Sequence, residues 1–529
     1  MLIVLALVAF LFWPGAACAL PVAPAQSLTV NIESISGVAP QTKEELSRFY
    51  ALRDFHPVWD LSDEETLKKA GGFIDSLDQL ATWHGLDKEV YRLDDMRGLL
   101  ASTAQPDKQK LEFMITASLL HLAHDLHGDD LNLDALYPGW DFHRKAADIP
   151  ALLNAAITSG TMNDFFQQIA PQQTAYRALA AALQRYSEIE AKSGWPTVAS
   201  GATLLPQDRG VRVAQLRARL AAEGYVAVPA EGQGDFFDDA LEEALIDYQN
   251  HNGLLPDGHA GAETLAAVNV PVAQRILQIR ANMERWRHMT EEFPPDRYVM
   301  VNIPDFTVTI RENGVEVYTG RVVDGRTDRP TPFVDSRILN MVINPAWHVP
   351  LSIARKDILP KLRKNPYYLE KLGAVIVGRD DDPAGTTIDW KDVSPKGFTY
   401  RLRQDPGDMN SLGQLKFNFY SPFGVYMHGT PHQELFGKAT RDFSSGCVRL
   451  AEPTRVGEIL LEDNKENGGW DQQRISDAID AGNTRTVTLA SPISVYFLYW
   501  SVFFDSDGKI NFRKDIYGYD SSLMNKVKN

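Results

Sequence analysis

Apolar residues recur at three- and four-residue spacing in LEFMITASLLHLAHDL (Leu111 to Leu126) and in YRALAAALQRY (Tyr176 to Tyr186). That spacing puts one apolar face on each turn and predicts amphipathic helices. The same character holds over residues 27–200, which we read as an α-helical scaffold domain. From 205 to 270 the punctuation tightens. VAQLRARLAAEGY runs to a stop at Gly224, DDALEEALIDYQNHNGL ends on Gly253, and a third short helix follows Asp257-Gly258. The result is a three-helix module near the lower size limit for independent folding. A connector helix falls within 271–296. Past Pro294-Pro295, short β-branched runs replace the helical spacing: Tyr298 to Ile303, Thr307 to Arg311 and Val315 to Val323, with Asn313-Gly314 marking a hairpin. Further strands are expected at Arg337 to Ile343, Lys416 to Phe419, Val425 to His428 and Thr486 to Leu489. Residues 297–529 therefore read as a β-rich domain, interrupted at about 352–392 by a helical insertion of the kind that forms lids. The whole is a multidomain α+β protein.

Composition fits that reading. The chain has 529 residues, 44% hydrophobic and 23% charged, which is more than one core accommodates and close to globular averages. Its 69 acidic and 53 basic residues leave a net charge of -16 with no long basic run, which argues against a nucleic-acid partner. Residues 1–19 look like an export signal: an apolar run from Met1 to Phe12, then small residues with a cleavage site after Ala19. The positive charge usual before such a run is missing. Association with a membrane is expected only if Cys18 is lipidated, and Gly15 stands where such signals usually carry Leu. Removal of the signal leaves Cys447 as the one cysteine. It has no partner for an internal disulfide, so it is a buried small hydrophobe, an intermolecular partner or a reactive thiol.

Two clusters offer chemistry. His121, His124 and His127, with acidic residues close by, suggest zinc at first sight. Their spacing turns the third imidazole about 120° from the first on a helix, so a polar helix edge is the better reading and no metal is expected. The second cluster is Tyr426-Met427-His428-Gly429-Thr430-Pro431, followed by Ser444-Ser445-Gly446-Cys447-Val448-Arg449-Leu450. A nucleophilic cysteine needs a base or a cation to form thiolate near neutral pH, and His428 is the candidate. Gly446 lets backbone approach a substrate, and the Cys447 amide is placed to help an oxyanion.

These strings resemble the signature of the YkuD-type L,D-transpeptidases. The resemblance extends to Thr331-Pro332-Phe333, Asn344 to Pro350, Arg403 to Gly407, Leu412 to Phe417, Asp505 to Gly508 and Asp515 to Gly518. The glycines and aromatics of 205–270 (Gly210, Gly224-Tyr225, Tyr248-Gln249, Gly253-Leu254, Asp257-Gly258, Thr264-Leu265) look like a peptidoglycan-binding domain. With the helical scaffold, the whole chain is similar to the YcbB-type enzymes.

The resemblance implies Cys447 as nucleophile and His428 as proton donor and acceptor, with Gly429 orienting that histidine through its backbone and Gly446 beside the nucleophile. It implies Tyr426, Trp347, Ser444, Ser445 and Arg449 as substrate-binding residues; Arg449 either orders the cysteine loop or meets a carboxylate. His348 and His432 read as groove or surface residues. Many small members carry histidine where this chain has Ser445, so any oxyanion role of that histidine does not transfer. The implied reaction joins diaminopimelate residues of neighbouring stems through a cysteine thioester, in the periplasm, without metal or cofactor and open to carbapenem inhibition. The implied partners are peptidoglycan stems and glycan, and wall-synthesis proteins. Three alternatives stay open: an L,D-carboxypeptidase, a lipoprotein-anchoring transferase, and a non-catalytic wall-binding scaffold.

Overall fold

The computed structural model describes residues 40–527 except 103, 129, 130, 141, 143, 291 and 466–468. The expected export signal and Cys18 lie outside the described residues. Among those described, no helix is long and apolar enough to cross a membrane.

The N-terminal region is helical around the helix Gln105–His127. Leu111, Leu119, Leu120, Leu122 and Leu126 pack there against Phe49, Phe73, Leu77, Leu153 and Phe166 from the surrounding helices. Because neighbours cover this helix all round, it buries polar groups as well. Glu112 is 2% exposed and accepts from the Tyr50 hydroxyl at 2.7 Å and the amides of Val58 and Trp59 at 2.6 and 3.0 Å. The same burial corrects the reading of the histidines as a polar edge. His124 and His127 are buried, and His124 Nε2 lies 2.8 Å from Glu45. No group of His, Cys, Asp and Glu suited to a metal occurs among the described residues.

Packing is less partitioned than the order of helices suggests. Tyr176, Leu179, Leu183 and Tyr186 of the helix Thr174–Ala191, and Tyr137, Trp140 and Phe142 before it, belong to the core of the C-terminal domain. They reach it across the connector helix Val272–Arg287, whose Arg285 is wholly buried and pairs with Asp520 at 2.7 Å.

The three-helix module comprises Val211–Glu223, Asp239–His251 and Ala262–Val268 around Leu216, Leu220, Leu241, Leu245 and Tyr248. Gly224 and Gly253 end the first two helices at φ +103° and +64°, backbone that glycine adopts without strain. Gln249 explains much of the motif read in the sequence. Its amide nitrogen donates to Asp257, the His259 carbonyl and Thr264, while its oxygen accepts from the Gly258 amide at 2.9 Å.

The C-terminal domain is built on β1 (Arg297–Asn302), β2 (Thr307–Glu312), β3 (Val315–Gly325), β4 (Val334–Ile343), β5 (Trp347–His348), β6 (Ala374–Ile376), β7 (Leu402–Gln404), β8 (Leu415–Asn418), β9 (Met427–His428), β10 (Asp442–Ser444), β11 (Val448–Leu450), β12 (Arg485–Leu498), β13 (Val502–Phe504) and β14 (Ile510–Phe512). The main sheet runs β10-β3-β11-β9-β8-β4-β12-β1-β2, and β2 also pairs with β3, so eight strands close into a ring with β10 as an appendage. Closure removes the sheet edges. Val299, Val308, Val322, Met341, Phe417, Met427, Val448 and Val495 are buried in its core.

The insertion is larger than the sequence suggests. β5, β7 and β6 make a separate three-stranded sheet. Ile358, Leu359, Leu362, Leu369, Trp390, Phe398 and Leu402 form its own core, which therefore extends past Asp392. Pairing of Trp347 with Gln404 and His348 with Arg403 staples the two ends of the insertion together. The β13–β14 hairpin docks the three-helix module: Asp505 approaches His251 Nε2 at 3.1 Å and Lys509 meets Asp247 at 2.8 Å.

Candidate active site

Cys447 follows His428 by nineteen positions, and the ends of the segment between them return to adjacent strands. β9 and β11 pair in parallel, with Met427 opposite Val448 and His428 opposite Arg449. The Val448 amide donates to the Tyr426 carbonyl at 3.1 Å, fixing the first residue after the cysteine beside the residues before the histidine. Cys447 is half-buried, flanked by the barrel core, and is the free cysteine of the described chain.

His428 is buried, and its Nδ1 lies 2.5 Å from the Gly429 carbonyl oxygen. A carbonyl only accepts, so Nδ1 carries the proton and the neutral ring keeps Nε2 as an acceptor. Burial, with the Arg449 cation, pushes His428 down to about 3, against the pull of the Gly429 and Leu412 carbonyls. The ring is therefore neutral at ordinary pH. Burial raises the Cys447 thiol above its ordinary value, while the Tyr426 backbone and the Lys416 and Arg449 cations pull it down. Lys416, opposite His428 on β8, is held with its Nζ 4.1 Å from the centre of the Tyr426 ring. Arg449 Nε is buried with no hydrogen-bond partner, and the guanidinium has no ion pair among the described residues.

The cysteine loop is held from within and from without. Ser444 is 2% exposed; its hydroxyl donates to the Cys447 carbonyl at 2.6 Å and accepts from the Gly446 amide at 3.0 Å. This corrects the expectation that Ser444 lines the substrate groove, because its hydrogen-bonding capacity goes to the loop's own backbone. Gly446 has φ +113°, which a side chain there would strain. Ser445 accepts from Arg329 at 3.1 Å, and Arg329 also grips the insertion residue Asp357 through both of its terminal nitrogens.

Trp347, at the root of the insertion, lies close enough to the Tyr426 hydroxyl to pull it down against the burial that raises it, and Tyr426 itself sits near the Cys447 sulfur. The structure thus brings together Cys447, His428, Gly429, Gly446, Tyr426, Trp347, Ser445 and Arg449. His348 and His432 are exposed, and His432 lies 3.3 Å from Glu434. Sequence reasoning missed Lys416, Arg329 and Asp357. Lys416 lay inside a recognised motif, but only the β8–β9 register sets it opposite His428.

Comparison with known proteins places three families along the chain. The YkuD model, described as an L,D-transpeptidase catalytic domain, matches residues 296–465. A model described as "Putative peptidoglycan binding domain" matches 209–268, and a scaffold domain matches 44–183. A Haemophilus influenzae protein named "Putative L,D-transpeptidase" is 33% identical over 228 residues, 42% of this chain and 45% of its own. The match thus spans less than half of that relative. Crystal structures of L,D-transpeptidases from Xylanimonas cellulosilytica and Stackebrandtia nassauensis are 14% and 13% identical; each match covers 57% of this chain and 99% or 96% of the other, with TM-scores of 0.18 and 0.21. At those scores the two structures carry no weight for the fold, which rests on the strand pairing and the family matches.

Proposed function

From a chain that carries an L,D-transpeptidase catalytic domain beside a peptidoglycan-binding domain, we propose a YcbB-like, periplasmic L,D-transpeptidase in which Cys447 is the nucleophile and His428 the proton carrier. The observation that carries this reading is the β9–β11 pairing, with His428 held by the Gly429 carbonyl in the tautomer that leaves Nε2 free to accept.

The Cys447 sulfur attacks the carbonyl between diaminopimelate and the terminal D-Ala of a tetrapeptide stem, and its proton passes to His428 Nε2. Lys416 and Arg449 stabilise the thiolate as it forms. The carbon–nitrogen bond breaks, His428 returns the proton to the departing D-Ala amine, and the stem remains as a thioester. The side-chain amine of a second diaminopimelate attacks that carbonyl and gives a proton to His428. The carbon–sulfur bond then breaks and the cysteine is reprotonated, leaving a direct diaminopimelate–diaminopimelate crosslink. The unpaired Arg449 is suited to a substrate carboxylate, and Trp347 and Tyr426 to the wall of the donor groove.

Intact-protein mass spectrometry tests the assignment. Wild type incubated with a carbapenem gains the mass of one drug molecule, and Cys447→Ala gains none. A wild-type protein that stays unmodified, or a Cys447→Ala variant that still crosslinks purified tetrapeptide muropeptides, refutes it. The second outcome favours the wall-binding scaffold.

A further inference from the structure

Away from Cys447, a cleft of about 980 Å³ opens between the three-helix module and the catalytic barrel. Its size is that of a ligand site, and nothing in the proposed chemistry uses it. One wall is Leu254, Leu255 and Pro256 with Ala266 and Ala267, all within the region that matches the peptidoglycan-binding domain. Leu255 is 59% exposed there. The facing wall is the turn at Phe306, Arg321 of β3 and the stretch Gly437 to Arg441.

That facing wall connects the cleft to the candidate active site. Gly437 to Arg441 lies in the loop that joins His428 to Cys447. The Arg321 carbonyl accepts from the Ala451 amide at 3.1 Å, one residue past the end of β11. Ala451 lies four extended steps beyond Cys447, about 13 Å of strand. A tetrapeptide stem, fully extended, spans about the same length.

The charge of the cleft is distinctive in a chain of net charge -16. Arg321, Lys438 and Lys514 line it, are exposed, and enter no ion pair among the described residues. Of the acids on the same side, Asp305 pairs with Arg513 and Asp520 with Arg285, while Asp515 accepts from the Tyr499 hydroxyl and from the amides of Tyr519, Asp520 and Ser521. Glu263 is the acid that the module contributes.

We propose that this cleft holds a stretch of peptidoglycan, with apolar contacts from Leu255 and its neighbours, the free stem carboxylates on Arg321, Lys438 and Lys514, and a stem amine on Glu263. It is a second binding surface, placed so that polymer held by the module and the barrel together presents a stem towards Cys447. The inference rests on the transpeptidase reading but fails separately from it.

The test uses the full chain and two measurements: retention on purified sacculi by co-sedimentation, and the rate of carbapenem acylation of Cys447. The Arg321→Glu/Lys438→Glu double variant and the Leu255→Asp variant should each lose about tenfold or more of sacculus affinity and acylate at the wild-type rate, the second readout also reporting an intact fold. Unchanged sacculus retention in both variants overturns the proposal. So does retention lost only in Val226→Asp/Val228→Asp, whose exposed side chains belong to the module but lie outside the cleft. A wild-type protein that binds sacculi through the cleft but is not acylated keeps the binding site and refutes the catalytic reading.

Discussion

His428 and Cys447 are displaced from their ordinary values in opposite directions, and burial is the main cause in both. With the imidazole titrating near 3, no change in its charge occurs around pH 6.5. With the thiol raised, the thiolate fraction is small at neutral pH and keeps growing, about tenfold per pH unit, into the alkaline range. Carbapenem acylation of Cys447 is therefore expected to climb steadily with pH from the acid side through neutrality, without a histidine step near pH 6.5. A bell centred near neutrality would contradict the geometry. Lys416 lowers the thiol. Lys416→Met should then slow acylation at pH 7, with recovery at higher pH as the thiol ionises without the lysine. A loss that persists at alkaline pH would mean that Lys416 acts on the substrate instead.

Among the elements, the insertion depends most on contacts distant in sequence. Its helical run was legible from SIARKDILPKLRKNPYYLEKLG, but its extent was not, because the strand that closes it, β7, comes ten residues past the expected end at Asp392. Arg329 joins this element to the cysteine loop by holding Asp357 and Ser445 at once. Both partners are partly exposed, so the ion pair itself contributes little to stability. Its consequence is positional. Asp357→Ala should loosen the insertion over Cys447 and admit water, shifting thioester breakdown several-fold from crosslinking to hydrolysis. Mass spectrometry of the muropeptide products gives that ratio directly, and an unchanged ratio removes the insertion from any role in excluding water. β12 was also underestimated: only Thr486 to Leu489 read as strand, whereas the strand continues to Leu498. Pro492 made the continuation look broken, yet it falls where the register against β4 shifts between Thr488 and Ile493, a place where its missing N–H costs no ladder bond.

At the scale of the whole molecule, the C-terminal segment ties the regions together. Tyr137 of the N-terminal region, Arg285 of the connector and Tyr519-Asp520 of the last helix meet in one buried cluster, with the Asp520 carboxylate also accepting from Ser501 at 2.7 Å. Removing one partner strands a buried charge, so Asp520→Ala should destabilise the catalytic domain by about 3–5 kcal/mol in denaturant unfolding. A midpoint within error of wild type would show that the cluster is not closed in solution. Tyr517, two residues earlier, donates to the Gly325 carbonyl at 2.6 Å, so the same tail also braces the loop before Arg326 and Arg329.

Local chemistry carried the part of this protein that could be read in advance. Helical spacing, the glycine stops at Gly224 and Gly253, the Asn313-Gly314 hairpin and the nucleophile–base candidates each depend on residues close together in the chain or on side-chain type alone. Tertiary structure decided the rest, because the deciding contacts join distant residues. Ring closure needs β2 against β3 and β12 against β1 and β4. The neutral His428 needs burial and the Gly429 carbonyl, the cation beside Cys447 needs the β8–β9 register, and the diversion of Ser444 into the cysteine loop needs the loop's folded turn. Sequence nominated the thiol and its base; the packing around them set their charges, their neighbours and what covers them.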